Sequence, residues 1–262
     1  MPFSKRNKIL AELGFKTDQE GIINRYLREQ GGWNEHLEKT KQIILRAVQD
    51  AEKGVLVVLG SGWLLDVPIE ELSKIFKKIY LVDIVHPRLI QRKIVKMKNV
   101  ELIYADITGG AAEELYYKIK ESKKSKIKFL LSQLQFDSSN FGISNDIKCD
   151  FVVSVNILNQ LDILLTDYLK KFNIYSEEEI LDFKRRIQSE HLKALPKGKS
   201  CLITDFEEII FDDENNSITK NPLIFAELPA GNFRQYWEWK FDLQKTYYQN
   251  KKTVFKVVGL SF

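Results

Sequence analysis

Five aliphatic residues in a row, Val55 to Leu59, stop abruptly at Gly60, Ser61 and Gly62. The run is too short to span a membrane, and apolar residues at every position, rather than at alternate ones, ask for burial on both faces. A central strand of a parallel sheet meets that demand. The glycines allow a sharp turn and leave backbone N–H groups bare for a polar or anionic ligand. Pro68 suits the first turn of a helix, whose buried face is Ile69, Leu72, Ile75 and Phe76. A second apolar run, Ile79 to Val82, ends in Asp83. That acid falls about 20 residues beyond the glycines, the spacing at which a carboxylate meets ribose hydroxyls in nucleotide-binding folds. Strand, glycine turn, helix, strand and acid together predict a nucleoside-binding half-site.

The pattern continues along the chain. Val100 to Asp106, Asp150 to Asn156 and Ser200 to Asp205 read as three more buried strands, and Trp237 to Leu243 with Thr253 to Ser261 as a closing antiparallel pair. Between them lie helical stripes. Pro87 opens one, with His86 a candidate cap, and Gly109 and Gly110 turn into another. Residues Ile157 to Leu169 form an apolar helix, and Ser176 with Glu179 is a capping-box pattern for a helix running to Leu195. Near the N-terminus, Ile22, Ile23, Tyr26 and Leu27 suggest a short helix stopped by Gly31 and Gly32, and a clearer one spans Trp33 to Glu52. Lys120 to Lys126 reads as a solvated turn, Asp137 to Asp146 as a loop and Asp212 to Pro222 as an exposed excursion. Phe129 to Phe136 fits a helix or an extra strand equally. The sum is an α/β fold: a Rossmann-like, mostly parallel sheet of about seven strands, helices on both faces, and an N-terminal helical extension. The extension covers residues 1–53 and the cofactor-binding domain residues 54–262.

These motifs resemble the class I S-adenosylmethionine-dependent methyltransferases. Gly60 and Gly62 match the first two glycines of that family's Gly-x-Gly-x-Gly, Asp83 its ribose-binding acid and Asp106 the acid that meets the adenine amino group. Leu64 stands where the third glycine would be, and Val58 where an acid would orient the methionine part. The resemblance implies S-adenosylmethionine as cofactor, with S-adenosylhomocysteine as product. It implies cofactor binding by Gly60, Ser61, Gly62, Asp83, Asp106 and Ser154. Asn156, just past the fourth strand, is expected at the substrate, and Asp205 is a further candidate there. Trp33 and His36 sit on adjacent helical turns and face the same pocket in this reading; packing and capping are the alternative for both. Asn156 as a helix cap is likewise an alternative to its substrate role.

Composition narrows the rest. The 262 residues carry 40 basic and 36 acidic side chains, a net charge of +4 that is too mild to point to nucleic acid. Cys149 and Cys201 adjoin core strands and read as buried free thiols, and His36, His86 and His191 are scattered, so no metal site is expected. No signal core or membrane span is visible, which predicts a soluble cytoplasmic protein. Gly60, Ser61 and Gly62 do not form a nucleophile elbow, and no phosphate-loop motif occurs. A nicotinamide-dependent oxidoreductase would need glycine at Leu65. The expected function is methyl transfer to a small-molecule acceptor; the alternative is a non-catalytic protein of this fold acting as a cofactor sensor or interaction scaffold.

Overall fold

Val55–Leu59 is strand β1, and it lies where its composition demands, inside a sheet with both faces covered. The computed structural model describes residues 3–137, 141, 147–212, 214 and 216–262. β1 pairs in parallel with β2 (Lys78–Asp83) on one side and with β4 (Phe151–Val155) on the other. β3 (Val100–Tyr104) extends the sheet beyond β2, and β5 (Ser200–Phe211) extends it beyond β4. The far edge is antiparallel: β8 (Lys252–Ser261) runs between β5 and β7 (Phe233–Asp242). The order is β3-β2-β1-β4-β5-β8-β7, and β6 (Ser217–Pro222) makes a hairpin with β5 off this path. The fold is thus the expected α/β arrangement with eight strands rather than about seven. The additional strand is β6, whose polar residues had read as an exposed excursion; they are exposed, and they pair.

Alternate residues of each strand feed two separate cores. Val57, Leu59, Val152 and Leu202 face α6 (Ala111–Ser125), α7 (Ile163–Lys170) and α8 (Glu177–Ala194). Leu56, Val58, Val153 and Ile203 face α3 (Asn34–Ala47), α4 (Ile69–Ile75) and α5 (Arg88–Ile94). Each fully buried Leu or Ile contributes about 1.5–3 kcal/mol, so these two layers supply the main stabilisation. α3 lies inside this scheme: Leu37, Ile43 and Ile44 are buried in the second core. Of residues 1–53, α1 (Phe3–Glu12) and α2 (Phe15–Arg28) form the part that lies over the sheet's end.

The capping box is present. Glu179 N donates to Ser176 Oγ at 3.2 Å, and Ser176 N donates to Glu179 Oε2 at 2.8 Å. Three segments differ from their sequence reading. Lys120 to Ser125 continues α6 instead of turning, because a cation-rich last turn suits a helix C-terminus; Lys126, at φ 60°, then ends it. Phe129 to Phe136 holds one 3-10 turn, Leu131–Gln133. The apolar stretch after Asn156 is a 3-10 turn, Leu158–Gln160, followed by α7. The expected loop at Asp137 to Asp146 lies largely outside the described residues. Among the described residues no helix is long and apolar enough to cross a membrane.

Gly60 has φ +78°, and a Cβ there would stand 2.7 Å from Ile157 Cβ and 2.8 Å from the Val155 carbonyl oxygen. Gly60→Ala should therefore cost about 2–3 kcal/mol, from left-handed backbone plus a backbone clash. Gly21→Ala, inside α2 with nothing within 4 Å of the new methyl, should gain about 0.5–1 kcal/mol. Denaturant unfolding of the two variants checks both signs.

Candidate active site at the sheet switch point

Strand order reverses between β1 and β4, and in open α/β sheets the crevice at the carboxyl ends of such a pair receives ligands. The sequence builds this spot from the glycine turn. Gly60 N donates to Val82 O at 3.0 Å, which prolongs the β1–β2 pairing by one residue. The chain then turns, and Gly62 N donates to Asp83 Oδ2 at 2.8 Å, while Val85 N donates to Asp83 Oδ1 at 3.3 Å. Asp83 is 4% exposed. Burial pushes its carboxyl up; His86 and the backbone N–H groups of Gly62, Val85 and Ile84 act in the opposite direction. Asp106 follows β3, its Oδ1 accepting from Thr108 N at 2.9 Å and Thr108 Oγ1 at 2.6 Å, and burial pushes its carboxyl up as well. Among the described residues, four buried polar atoms around this crevice lack a partner: the Ser61 hydroxyl, in the turn itself, His86 Nδ1, Gln19 Oε1 and Asn156 Oδ1. His86 Nε2 lies 3.0 Å from the Ile103 carbonyl, so Nε2 carries the ring proton and Nδ1 is an acceptor.

The two departures from the glycine motif have physical explanations. Leu64 has φ +53°, the conformation a glycine would take without strain. Its side chain is buried in the core beside α3 and α4, and that burial offsets a strain of about 1–2 kcal/mol. Val58 points into the same core, paired with Leu81 and Val153, where a carboxylate would be desolvated without a partner.

Across the crevice, β4 is followed by Asn156, which has φ +47°, a conformation asparagine tolerates. Its backbone N–H donates to Ile203 O at 2.8 Å. Its Nδ2 donates to Asp66 Oδ2 at 2.7 Å and lies 3.2 Å from His36 Nε2, while Trp237 Nε1 donates to His36 Nδ1 at 3.1 Å. The side chain thus does not cap the following turn. His36 stacks on Trp239 at 4.0 Å, and burial pushes its pKa down to about 3, so it is a neutral strut. Trp33 is packed against Tyr26, Trp239 and Phe241, and its indole N–H donates to Phe241 O at 2.8 Å. Its one polar atom is used within the fold. Ser154 Oγ lies 2.8 Å from His191 Nε2 in the opposite core, fully buried, so its hydroxyl is likewise taken. Gly60, Ser61, Gly62 and Asp83 therefore come together, and Asn156 with His36 forms a second group; Trp33 and Ser154 have internal partners.

Sequence reasoning missed the residues that close the site. Trp63 Nε1 donates to Gln19 O at 2.8 Å, the Gln19 amide lies over Gly62, and Arg6 reaches Ile84 O at 3.4 Å. It also missed Asp66 and Asn159. Asn159 Nδ2 donates to Asp205 Oδ2 at 2.7 Å beside the end of the parallel part of β5. None of these carries a motif; only the folded chain makes them neighbours. A cleft of about 380 Å³ lined by Phe206, Glu207, Lys220, Pro222, Ile224 and Leu228 lies at the β5–β6 hairpin and includes none of these groups.

No family model matches the chain, and no curated protein matches it. Among solved structures it is similar to the N-methyltransferase NodS from Bradyrhizobium japonicum in complex with S-adenosyl-L-homocysteine, at 11% identity and a TM-score of 0.36, covering 85% of this chain and 86% of that one. It is similar also to DhpI in its S-adenosylhomocysteine complex, at 11% identity and a TM-score of 0.40, covering 96% and 97%. A third is an S-adenosylmethionine-dependent methyltransferase from Clostridium acetobutylicum, at 10% identity and a TM-score of 0.38, covering 92% and 99%.

Burial raises the Asp205 carboxyl to about 7, far above an ordinary aspartate. A raised folded-state pKa means stability that is present in acid and lost as pH climbs from about 4 through about 7. Asp205→Asn should remove that loss. Its melting temperature should exceed that of the unmodified protein, and the gap should widen between pH 5 and pH 8, as followed by calorimetry or circular dichroism.

Proposed function

We propose that this protein transfers a methyl group from S-adenosylmethionine to a small-molecule acceptor. The observation that carries this is the meeting of the Gly62 amide and the Asp83 carboxylate at the switch point, with the unpartnered Ser61 hydroxyl in the same turn. The residues fit an adenosine. Asp83 accepts from the Gly62, Val85 and Ile84 amides and keeps a lone pair for a ribose hydroxyl, Asp106 accepts from Thr108 through Oδ1 and offers Oδ2 to an amino group, and the unpartnered Ser61 hydroxyl faces the polar remainder. When bound, S-adenosylmethionine supplies a methyl group on an already activated sulfonium. The protein's task is then alignment and exclusion of water rather than activation of a leaving group. Asn156, held by Asp66 and His36, borders the transfer site from β4. The segment α1–α2 acts as the cap, with Gln19 over the turn and the pair Gly31–Gly32 joining the cap to α3.

A second reading keeps the fold without the chemistry, as a cofactor sensor or scaffold. Gln19 over Gly62, and Ile157 against Gly60, favour it, because both side chains stand where a ligand would approach.

Titration calorimetry with S-adenosylhomocysteine separates the two. Methyl transfer predicts micromolar binding, weakened about tenfold or more in Asp83→Ala, since a hydrogen bond to a charged group is worth about 1.5–3 kcal/mol. Absence of heat at millimolar ligand would leave the scaffold reading.

A further inference from the structure

Strand β5 changes character midway. Its first half pairs in parallel with β4, and its second half continues past the sheet's end between β8 and β6. At the junction a bulge sets Asp205 opposite Val257 and Glu207 opposite Lys256, leaving Phe206 as the extra residue. Without it, Asp205 and Glu208 would point to opposite faces. With it, their partners on β8 are Val257 and Phe255, two residues apart, so both carboxyls rise from one face, that of α3.

The surroundings of Asp205 are unusual for a buried acid. It is 2% exposed, Asn159 is 6% exposed, and Asp205 Oδ1 and Asn159 Oδ1 both lack any partner. Among the described residues the one charged side chain that acts on Asp205 is another carboxylate, Glu208, which adds to its reluctance to ionise. Glu208 receives Asn221 Nδ2 at 2.8 Å and Tyr248 OH at 3.4 Å, neither of them a cation. Two buried acceptors and an excess of negative charge ask for a ligand that donates hydrogen bonds and carries positive charge.

The spot is adjacent to the proposed transfer site. Asn159 follows Asn156 by three residues, and the Asn156 backbone bonds Ile203, two residues before Asp205. Helix α2 lies across both places: Gln19 reaches over Gly62, and Arg25 stacks on Tyr247, whose hydroxyl feels Asp205 and Glu208.

We propose that Asp205 and Asn159, backed by Glu208, form an acceptor subsite for a primary or secondary amine. The amine N–H groups point to Asp205 Oδ1 and Asn159 Oδ1, which orients the nitrogen lone pair away from them and toward the switch-point crevice. An amine that gains a methyl group sheds one proton, and Asp205 Oδ1 takes it, the carboxylate becoming the acid. This assignment rests on the methyl-transfer reading. A carboxyl balanced near neutrality suits a group that must face the positive charge that develops on the amine nitrogen as the methyl group arrives and then receive its proton.

The test uses the whole, isotope-labelled protein and n-butylamine as probe, with 1-butanol and butyrate as controls, followed by amide chemical shifts. Expected is a saturable shift of the amides of Asn159 and Asp205 with n-butylamine alone, weakened about tenfold in Asp205→Asn and in Asn159→Ala. Equal responses to all three probes, or undiminished n-butylamine binding in both variants, would overturn the proposal. Calorimetry with S-adenosylhomocysteine is run on the same samples. Should that ligand fail to bind while n-butylamine binds as expected, methyl transfer falls and the amine subsite stands. Should it bind while n-butylamine does not, the subsite alone is wrong.

Discussion

The hydrogen bond from the Gly62 amide to Asp83 ties together the tips of two neighbouring strands, and most of the local architecture follows from it. Register places Leu59 beside Val82, so the turn and the acid must emerge side by side. An ionised carboxylate buried at that depth would be costly without donors, and the turn supplies one from Gly62 while the chain after β2 supplies another from Val85. In return the carboxylate fixes the path of the glycine turn, whose following residues Leu64 and Val67 are buried in the core. Gly60 is what permits this. Any side chain there would push β4 away through Val155 and Ile157, and the switch point would open.

The sheet could be read from the sequence because its strands are buried on both faces, which leaves unbroken apolar runs. The capping box at Ser176, the start at Pro87 and the acid at Asp83 were legible for the same reason: each is a local pattern with a local cause. What was not legible depends on distance along the chain. His36 meets Asn156, 120 residues away, and Trp33 bonds Phe241, 208 residues away. No periodicity announces either, and a tryptophan and a histidine on a helix face read as packing groups before they read as pocket groups. The lysine-rich end of α6 misled because charge alone resembles a solvated turn, whereas a helix C-terminus welcomes cations. Leu64 is the subtler case. The turn demands a left-handed residue there, and the core takes the leucine side chain, so packing replaces the glycine that backbone strain alone would favour.

The N-terminal segment joins the two halves of the site. α2 has no buried residue of its own, yet its side chains meet both ends of the crevice. Toward the glycine turn it offers Gln19. Toward β5 it offers Arg25, between the rings of Phe241 and Tyr247, and Glu29 follows it, accepting from the Leu243 amide at 3.0 Å. Asp18 adds a carboxyl that burial pushes up, with Arg25 acting against this and Asp167 and Asp83 in the same sense. Carboxyls therefore gather between α2 and the strand ends, with the Arg25 guanidinium among them.

Buried carboxyls of this kind do not arise from folding requirements. Asp205 and Val257 face each other across β5 and β8, in a row that continues to Trp237, and an apolar residue at position 205 would satisfy that row. Leucine or valine there would bury apolar area instead of desolvating a charge, and Asn159 would lose the Asp205 acceptor of its amide. The bulge compounds the cost, since it interrupts the ladder in the middle of the molecule's longest strand. A strand that gives up a ladder register to present two acids on one face, with Asp205 Oδ1 and Asn159 Oδ1 left open beside them, is shaped by what it binds rather than by what it packs against.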